Sequence, residues 1–284
     1  MTATRLAVTG STGRLGGRVA RLLADRDVEQ RLVVRDPSRA PELPGTTLAQ
    51  ASYGDAQAVR RALDGCTVAL MVSASESATR VDEHRSFVDA AKAAGVRHLV
   101  YTSYYGAAAD ATFTLGRDHF ATEEHIRSSG MTWTFVRDSL YLDFFPLMAG
   151  EDGVIRGPAG DGRLAAVALD DIAAALVAVL LDPDSHAQQT YSLTGPAALT
   201  LSEVAETMAD CLDRPFSFRD ETLEEAYSSR AEYGAPDWQL EAWVSTYTAI
   251  ASGELAALTD DVERLTGRTP RSLRDVLTGA AVTD

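Results

Sequence analysis

Lysine is almost absent from this chain. Of its 26 basic residues, only Lys92 is a lysine and the rest are arginines. Acidic residues number 41, and the formal net charge is −15. No basic stripe offsets that charge, so the composition argues against nucleic acid or an anionic membrane as a partner.

Cysteine and long apolar runs are also scarce. Cys66 and Cys211 fit no metal-ligand spacing and no CxxC motif, and we interpret them as two buried thiols, with a disulfide as the alternative. The longest apolar run, from Ile172 to Leu181, has about half the length that a membrane span needs. No signal peptide precedes the first predicted strand, so we expect a cytoplasmic protein without a membrane partner.

A glycine-rich turn follows the first apolar run. Leu6–Val8 leads into glycines at positions 10, 13 and 16, and an apolar-periodic segment comes next. Gly10 lets the chain turn off the strand, Gly13 lets the backbone approach a pyrophosphate, and Gly16 lets the helix pack on the sheet. The helix N-terminus then offers N–H groups to phosphates. The pattern predicts a dinucleotide site, with an ordinary strand-to-helix turn as the alternative.

Apolar runs alternate with helical patterns as far as Val136. The predicted strands are Leu6–Thr9, Gln30–Val34, Thr46–Ala49, Thr67–Val72, His98–Thr102 and Thr132–Val136. The predicted helices include Leu15–Ala24, Ala56–Leu63, Val81–Ala94 and Arg117–Ser128. Because the strands are near-continuous apolar runs, both of their faces are expected to be buried. This order predicts an α/β fold with a doubly wound, Rossmann-type parallel sheet.

The alternation stops after Asp138. We therefore predict a nucleotide-binding domain over residues 1–138 and a smaller, mostly helical α/β cap over 139–284 that forms the substrate cleft. Its predicted elements are a helix at Asp171–Leu181, a strand at Thr190–Leu193, a helix from Ser202 to about Leu212 without a full capping box, and mostly helix from Thr222 to the end. We interpret Asp170 and Asp171 as a helix cap, since no third metal ligand is near.

Arg35 and Asp36 follow the second strand, where the adenine ribose of a dinucleotide would lie. An acidic residue there accepts hydrogen bonds from the ribose and favours NAD, whereas an arginine pairs with a 2′-phosphate and favours NADP. Arg35 comes first, so NADP is favoured, with NAD as the alternative because of Asp36. A solvated surface role for Arg35 is the structural alternative.

Polar and small residues end the next three strands. Asp55 follows the third strand and could accept from the adenine amino group, cap a helix, or do both. The carboxyl ends of parallel strands line the ligand crevice of such sheets, so the fourth and fifth strand ends should face the nicotinamide half. Those ends consist of Ser73, Ala74 and Ser75 on the fourth strand and Thr102, Ser103, Tyr104 and Tyr105 on the fifth.

The single lysine excludes a common catalytic pair. Short-chain dehydrogenases usually place a tyrosine four residues before a lysine, whose charge lowers the pKa of the phenol. Position 88, four residues before Lys92, is valine. Without that pair, reduction of simple ketones is disfavoured, because the alkoxide product needs a proton at once.

His119 is the best replacement for that pair. It lies early in a predicted helix, where it could donate a hydrogen bond to an acceptor oxygen or anchor the cofactor ribose, with a capping or core role as the alternative. Tyr104, Tyr105 and Tyr141 are candidate substrate contacts, although packing is the commoner role of a single buried tyrosine. The remaining histidines, His84, His98, His125 and His186, are interpreted as structural.

Together these stretches carry a resemblance. The chain resembles the NmrA-like atypical short-chain dehydrogenases, and among them the NADPH-dependent quinone oxidoreductases of type 2 and the triphenylmethane reductases. The motifs that carry it are Thr9–Gly16, Val34–Pro37, Tyr53–Asp55, Ser73–Glu76, His84–Arg85, Ala90–Val96, His119 with Thr122 and Glu123, Arg137–Tyr141, Gly157–Gly162, Asp171–Ala173 and Tyr191–Gly195.

The resemblance implies roles for particular residues. Gly10, Ser11, Thr12, Gly13, Arg14 and Leu15 would bind the pyrophosphate, Arg35 the 2′-phosphate, and Ser73–Ser75 with Arg137, Asp138, Ser139, Leu140 and Tyr141 would line the nicotinamide side. His119 falls where many relatives carry the active-site lysine and where the quinone-reducing branch has histidine. Asp138 departs from the asparagine usual in the family, and the loop Thr102–Tyr105 is less apolar than in the quinone enzymes.

We therefore expect an NADPH-dependent reductase of quinones or similar electron-poor conjugated acceptors. Direct hydride transfer to such an acceptor leaves a delocalised anion or a neutral product, so it needs little general acid. A non-catalytic NAD(P) redox sensor and a biosynthetic reductase of an aromatic or polyketide product are the alternatives. The expected partner is a small-molecule acceptor, and the protein is expected to be a monomer or a homodimer.

Overall fold

The computed structural model of the chain describes residues 6–279. Its strands are β1 (Leu6–Thr9), β2 (Gln30–Val34), β3 (Thr46–Gln50), β4 (Val68–Met71), β5 (His98–Tyr104), β6 (Thr132–Asp138), β7 (Val154–Gly157), β8 (Arg163–Leu164), β9 (Gln189–Leu193), β10 (Leu199–Thr200) and β11 (Ser217–Asp220). Its helices are α1 (Arg14–Ala24), α2 (Ala56–Ala62), α3 (Arg80–Ala93), α4 (Thr114–Ser128), α5 (Phe145–Met148), α6 (Leu169–Leu181), α7 (Leu201–Leu212), α8 (Leu223–Arg230), α9 (Asp237–Ala251), α10 (Asp261–Thr266) and α11 (Leu273–Thr278). Short 3-10 helices lie in the connections, at Pro37–Arg39, Leu142–Phe144, Pro183–His186 and Ala231–Tyr233.

Seven strands form the main sheet, in the order β3-β2-β1-β4-β5-β6-β9. Strand β1 pairs in parallel with both β2 and β4, and the pairs β2–β3 and β4–β5 are parallel as well. The predicted doubly wound sheet is confirmed. The strand order reverses between β1 and β4, and the carboxyl ends of these two strands flank the position where such sheets bind ligands.

The predicted elements of this half are confirmed with small shifts at their ends. Strands β5 and β6 each run two residues beyond their predicted ends, so Ser103, Tyr104, Arg137 and Asp138 belong to strands rather than to loops. Helix α4 begins at Thr114, before the predicted Arg117. The extra strand residues are polar or aromatic but fully or largely buried, so the apolar pattern did not mark them.

The core explains why the strand ends are well fixed. Strands β1, β4 and β5 are buried along their whole length. Phe87 on α3, Tyr101 on β5 and Phe135 on β6 are among the largest fully buried side chains of the core cluster around these strands. Each such side chain contributes about 1.5–3 kcal/mol by leaving water. The sheet is therefore a rigid platform for whatever its carboxyl ends carry.

The chain forms two compact units. Unit 1 holds the chain up to Tyr104 together with Asp118–Arg137 and Ile172–Tyr191, and unit 2 holds Tyr105–Arg117, Asp138–Asp171 and the chain from Ser192 onward. Within unit 2, β7 pairs with β11 in parallel and β8 with β10 antiparallel. The predicted division of roles at residue 138 stays a prediction. The last residues of the predicted helical C-terminus, 280–284, lie outside the described residues.

Helix α7 corrects one predicted cap. The predicted start was Ser202, without a full capping box. The helix instead begins at Leu201, and Thr200 is its N-cap: the Thr200 hydroxyl accepts from the Glu203 N–H at 3.1 Å, and Glu203 accepts from the Thr200 N–H at 2.8 Å. The capping box is complete, and its cap lies two residues before Ser202, the residue that the sequence suggested as the cap.

The acidic pair at the start of α6 does not cap that helix. Asp170 and Asp171 lie in its first turn. The N–H of Leu169, the first residue of the helix, donates instead to the Asp143 carboxylate at 2.9 Å. Asp171 is fully buried and accepts the backbone N–H of Arg271 at 2.7 Å. Burial raises the pKa of Asp171. Asp171 therefore binds the backbone of a segment 100 residues further along the chain instead of closing the helix end.

The cysteines and the apolar helices complete the fold. Cys66 is buried as expected, whereas Cys211 is half-buried, and both are thiols. Within residues 6–279, none of the helices combines the length and apolar character that crossing a membrane requires.

Candidate functional site

The glycine-rich turn after β1 is tightly closed on itself. Gly10 has φ +66°, a conformation that favours glycine, and the N–H of Gly13 donates to the Gly10 carbonyl at 2.9 Å. A Cβ on Gly16 would lie 2.4 Å from the same carbonyl oxygen. The predicted reasons for glycine at positions 10 and 16 are therefore visible in the backbone.

Helix α1 leaves its first N–H groups without a side-chain cap. Its N-cap is Gly13, and its first turn carries no acidic residue. Helix α2, by contrast, is capped by Asp55, whose Oδ1 accepts the Ala58 N–H at 2.9 Å. Asp55 is thus an N-cap, as one of its two predicted roles requires, and its adenine contact stays a prediction. The uncapped α1 terminus offers N–H groups to an anion.

Arg35 and Asp36 have different surroundings. Asp36 begins the 3-10 helix at Pro37, and its Oδ1 accepts both the backbone N–H of Ser38 at 3.0 Å and the Ser38 hydroxyl at 2.7 Å. These hydrogen bonds lower the pKa of the Asp36 carboxyl. Arg35 is exposed, and Gln50 donates to its carbonyl at 3.0 Å. The Asp36 carboxylate is thus hydrogen bonded within its own turn, whereas Arg35 is exposed directly after the end of β2.

Side chains hold the backbone that leaves β4. Three consecutive N–H groups each donate to a side chain: Val72 to Thr9 Oγ1 (2.9 Å), Ser73 to Thr102 Oγ1 (2.8 Å) and Ala74 to His84 Nε2 (2.9 Å). Thr102 was predicted to contact a cofactor, but its buried hydroxyl supports Ser73 here. The segment that follows β4 has no regular secondary structure, so these side chains accept the N–H groups that strand pairing would otherwise satisfy.

Tyr53 joins the same edge. Its hydroxyl donates to the Val72 carbonyl at 2.6 Å and is hydrogen bonded to the Thr9 hydroxyl. A Cβ on Gly10 would lie 2.9 Å from the Val72 Cβ, so the glycine turn and the end of β4 are already in contact. Burial raises the pKa of Tyr53, which stays protonated. Tyr53 therefore fixes the point where β1 and β4 meet.

His119 uses both of its ring nitrogens inside the protein. Arg80 Nη2 lies 2.8 Å from His119 Nε2, and the Tyr101 hydroxyl lies 3.0 Å from Nδ1. A guanidinium only donates, so Nε2 accepts and the ring proton sits on Nδ1. The predicted hydrogen bond from His119 to an acceptor oxygen does not fit this arrangement, because neither nitrogen is available for it. Its role in the reaction stays a prediction.

The charge around His119 is positive. Burial first, then the charge of Arg80, lowers the pKa of His119 well below its usual value. Arg80 is itself buried, and its nearest carboxylate, Asp118, lies 3.9 Å away. The Tyr104 ring is centred 6.1 Å from the His119 ring. A neutral histidine on α4 therefore lies against a buried arginine at the start of α3.

Glu123 is a functional candidate that belongs to one of the quoted motifs but was assigned no role from the sequence. It is fully buried, and its two oxygens accept from four donors: Ser103 Oγ (2.6 Å), Arg137 Nε (2.8 Å), Arg137 Nη2 (2.7 Å) and Arg127 Nη2 (3.0 Å). Arg137 and Ser103, both predicted cofactor contacts, are thereby fixed at the ends of β6 and β5. The signal was present in α4, where His119, Thr122 and Glu123 make a polar stripe at helical spacing.

The remaining predicted residues lie in unit 2. Tyr141 donates to Asp138 Oδ1 at 3.3 Å and packs edge-on against Phe144. Ser139 is buried, and its hydroxyl has no partner among the described residues. The Leu140 carbonyl accepts from Val167 at 2.9 Å. The Tyr105 hydroxyl donates to the Ala257 carbonyl at 3.1 Å. Asp138 and Tyr141 are brought together, and their predicted nicotinamide contacts stay predictions.

A family comparison decides what the glycine turn is for. A family model described as NAD(P)H-binding matches residues 10–183, well over half of the chain. The chain belongs to the NAD(P)H-binding family. The matched region begins at Gly10 and includes β2, β4, β5 and β6, whose ends have just been described.

Curated relatives and a solved structure agree with the resemblance drawn from the motifs. NAD(P)H azoreductase of Xenophilus azovorans is 31% identical over 275 residues, covering 95% of this chain and 96% of the relative. The (4-alkanoyl-5-oxo-2,5-dihydrofuran-3-yl)methyl phosphate reductase of Streptomyces griseus is 34% identical and covers 95% of each chain. The solved structure of the NADPH-dependent quinone oxidoreductase QOR2 of Escherichia coli, complexed with NADPH, has a TM-score of 0.88 and 29% identity, covering 96% of this chain and 99% of that one. The resemblance is confirmed, and the chain is an NAD(P)H-dependent reductase.

The residues of this family member fit a bound dinucleotide. A side chain at Gly16 would collide with backbone atoms, so α1 can approach the turn only because that position is glycine. The Ser11 hydroxyl is buried without a partner among the described residues, next to the uncapped α1 terminus. A buried hydroxyl and the N–H groups of a helix N-terminus are the donors that a pyrophosphate accepts from. Ser11, Thr12, Gly13 and the first residues of α1 would hold it.

Neutral buried histidines make stability depend on pH. Burial lowers the pKa of His84 to about 3, and it lowers the pKa values of His98 and His119 as well. In the unfolded chain these groups titrate near the ordinary value of about 6.5, so below that pH the unfolded state binds more protons. We expect the free energy of unfolding to be largest above pH 6.5 and to fall on acidification, by up to about 1.4 kcal/mol per pH unit for each histidine.

Urea unfolding at pH 7.5, 6.5 and 5.5 checks this expectation. The measurements stay above pH 5 because ordinary carboxyl groups titrate below it. The His84→Asn variant should lose less stability between pH 6.5 and 5.5 than the wild type, since it has one such group fewer. Equal losses in the two proteins would show that His84 is not neutral in the folded state.

Proposed function

We propose that this NAD(P)H-dependent reductase uses NADPH and transfers a hydride directly to a quinone or a similar electron-poor conjugated acceptor. Two features at the same edge of the sheet carry the proposal. The N-terminus of α1 has no side-chain cap and follows the glycine turn, and Arg35 is exposed next to an Asp36 whose carboxylate is hydrogen bonded to Ser38. The azo and quinone acceptors in the names of two relatives support this acceptor class.

The cofactor would be held from the glycine turn outward. Gly10, Ser11, Thr12, Gly13, Arg14, Leu15 and Gly16 would bind its pyrophosphate, Arg35 its 2′-phosphate and Asp55 its adenine. Ser73, Ala74, Ser75, Ser103 and the segment Arg137–Leu140 would line the nicotinamide side, with Thr102 acting through Ser73. When bound, NADPH supplies the hydride. The preference for NADPH follows from Arg35, whose charge complements a phosphate and not a hydroxyl.

The proposed reaction does without a tyrosine–lysine pair. Lys92 Nζ donates to the Ser129 carbonyl, and the residue four positions before it, Val88, is fully buried. Neither offers a proton to a reacting oxygen. This supports an acceptor whose reduction product spreads its charge over a conjugated system and needs no proton at the moment of transfer.

We assign the aromatic and histidine side chains to shaping and supporting the acceptor site, not to proton transfer. We propose that His119 is a positioning residue, because Arg80 and Tyr101 occupy its nitrogens. Tyr104 and Tyr141 would contact the acceptor as flat, apolar faces that match a conjugated ring. The protein mainly orients donor and acceptor in this mechanism.

A second candidate function is a biosynthetic reductase of a conjugated carbonyl compound. The observation that favours it is the 34% identity to the dihydrofuranyl-methyl phosphate reductase, which exceeds the identity to the azoreductase. The same site residues would serve both functions. The two candidates differ in acceptor size and polarity, so acceptor scope separates them.

The direct test follows NADPH oxidation by absorbance with benzoquinone as acceptor, after subtraction of the rate without protein. NADH and a cationic dye are run in parallel. We expect protein-dependent oxidation that is faster with NADPH than with NADH. If NADPH binds but none of these acceptors is reduced, quinone reduction is wrong, and the biosynthetic reductase takes its place.

A further inference from the structure

His84 is buried on α3 with a defined proton position. It is fully buried, its Nε2 accepts the Ala74 N–H at 2.9 Å, and its Nδ1 lies 2.9 Å from Thr122 Oγ1. The Thr122 hydroxyl donates its one proton to the Asp118 carbonyl at 2.8 Å. Nδ1 must therefore carry the proton and donate to Thr122. The imidazole is therefore neutral, since Nε2 accepts from Ala74 and only Nδ1 carries a proton.

The Ala74 N–H is the last of the three held amides after β4. The two preceding N–H groups, of Val72 and Ser73, donate to the hydroxyls of Thr9 and Thr102, which are residues of the sheet's own strands. Beyond Ala74 the chain becomes exposed at Ser75. His84 therefore holds the outer end of this segment from a helix, and removing it frees the part farthest from the sheet.

We propose that His84 is a positioning residue for cofactor binding, which acts by fixing the Ser73–Ser75 segment through the Ala74 amide. The inference rests on the proposed function in one respect, namely that this segment meets the nicotinamide half of NADPH. A backbone that must approach a cofactor closely binds best when its position is fixed before the cofactor arrives. His84 would supply that order without touching the cofactor.

The chain offers a matched control in His98. It is also buried, its Nε2 lies 2.8 Å from Thr134 Oγ1, and Thr134 donates to the His186 carbonyl at 2.7 Å. This repeats the histidine–threonine–carbonyl arrangement of His84. The difference lies at the second nitrogen, because His98 Nδ1 holds no partner among the described residues. His98 also begins β5, at the sheet edge opposite to the predicted site.

Three variants separate the two hydrogen bonds of His84. Asparagine can replace Nδ1 but is too short to reach Ala74, so His84→Asn loses the amide bond. Glutamine can place its Oε1 near the position of Nε2, so His84→Gln can keep it. His98→Asn removes an equally buried imidazole at the other edge. Near-UV circular dichroism of each variant verifies that it is folded.

The first measurement is the Kd for NADPH by fluorescence titration. We expect about a tenfold increase for His84→Asn, a smaller one for His84→Gln and no change for His98→Asn. The second is amide hydrogen exchange without any cofactor, in which the Ala74 amide should exchange faster in His84→Asn than in His84→Gln or the wild type.

Two results would overturn the proposal. One is an unchanged Kd and an unchanged Ala74 exchange rate in His84→Asn. The other is the same increase of the Kd in His84→Asn and His98→Asn, which would make the effect one of general stability. A wild type that binds NADPH without reducing quinones contradicts the reductase proposal alone, since the Kd series and the exchange rates still report on His84.

Discussion

Gly16→Ala is expected to raise the Kd for NADPH by about 10- to 100-fold, which corresponds to about 1–3 kcal/mol of overpacking. The new Cβ would lie 2.4 Å from the Gly10 oxygen, 2.5 Å from the Gly10 carbonyl carbon and 2.8 Å from the Thr9 oxygen. All three are backbone atoms and cannot rotate away. Either the turn or α1 must move, and both carry the proposed pyrophosphate contacts.

The measurement is an NADPH titration of the variant together with its Tm. Gly54→Ala is the matched control, because its Cβ would meet only Glu83 Cγ at an ordinary 3.7 Å. The control should bind NADPH like the wild type. Wild-type affinity in Gly16→Ala would mean that the turn tolerates displacement and does not cradle the pyrophosphate.

The second large effect concerns the choice between NADPH and NADH. Arg35→Ala should raise the KM for NADPH by about 10- to 100-fold and leave the KM for NADH nearly unchanged, because a charge-assisted pair with the 2′-phosphate contributes about 1.5–3 kcal/mol. Asp36 cannot compensate, since Ser38 already occupies one oxygen of its carboxylate and repulsion disfavours a phosphate beside it.

Steady-state kinetics with both cofactors provide the check. Arg26→Ala is the control: Arg26 is also exposed, but its guanidinium donates to the Leu22 carbonyl at the far end of α1. That variant should keep the wild-type preference. A parallel rise of both KM values in Arg35→Ala would assign Arg35 a general role in binding and remove the basis for NADPH selectivity.

The sequence predicted the sheet well because its central strands β1, β4 and β5 are buried along their whole length. A near-continuous apolar run such as Val68–Met71 is recognisable without any tertiary information. The glycine turn was predictable for a similar reason, since positive φ and close packing leave few residues other than glycine. These are local or single-residue constraints.

The supports of the site could not be predicted, because they depend on partners distant in sequence. His84 was interpreted as structural, and only the fold shows that its Nε2 accepts the backbone N–H of Ala74, in the irregular segment that follows β4. Glu123 on α4 is hydrogen bonded to Ser103 on β5 and to Arg137 on β6, and the sequence does not show that these elements meet. The Asp36-Pro37-Ser38 turn, in contrast, is a local signal that could have settled the competition with Arg35.

The lone lysine has a practical consequence for labelling. Lys92 is exposed near the end of α3, and its amine is hydrogen bonded to a carbonyl at the end of α4. No other side chain of this protein carries a primary amine. Side-chain acylation by a fluorophore or a surface linker therefore attaches at one known position. Molecules immobilised through this side chain are therefore all attached at the last turn of α3.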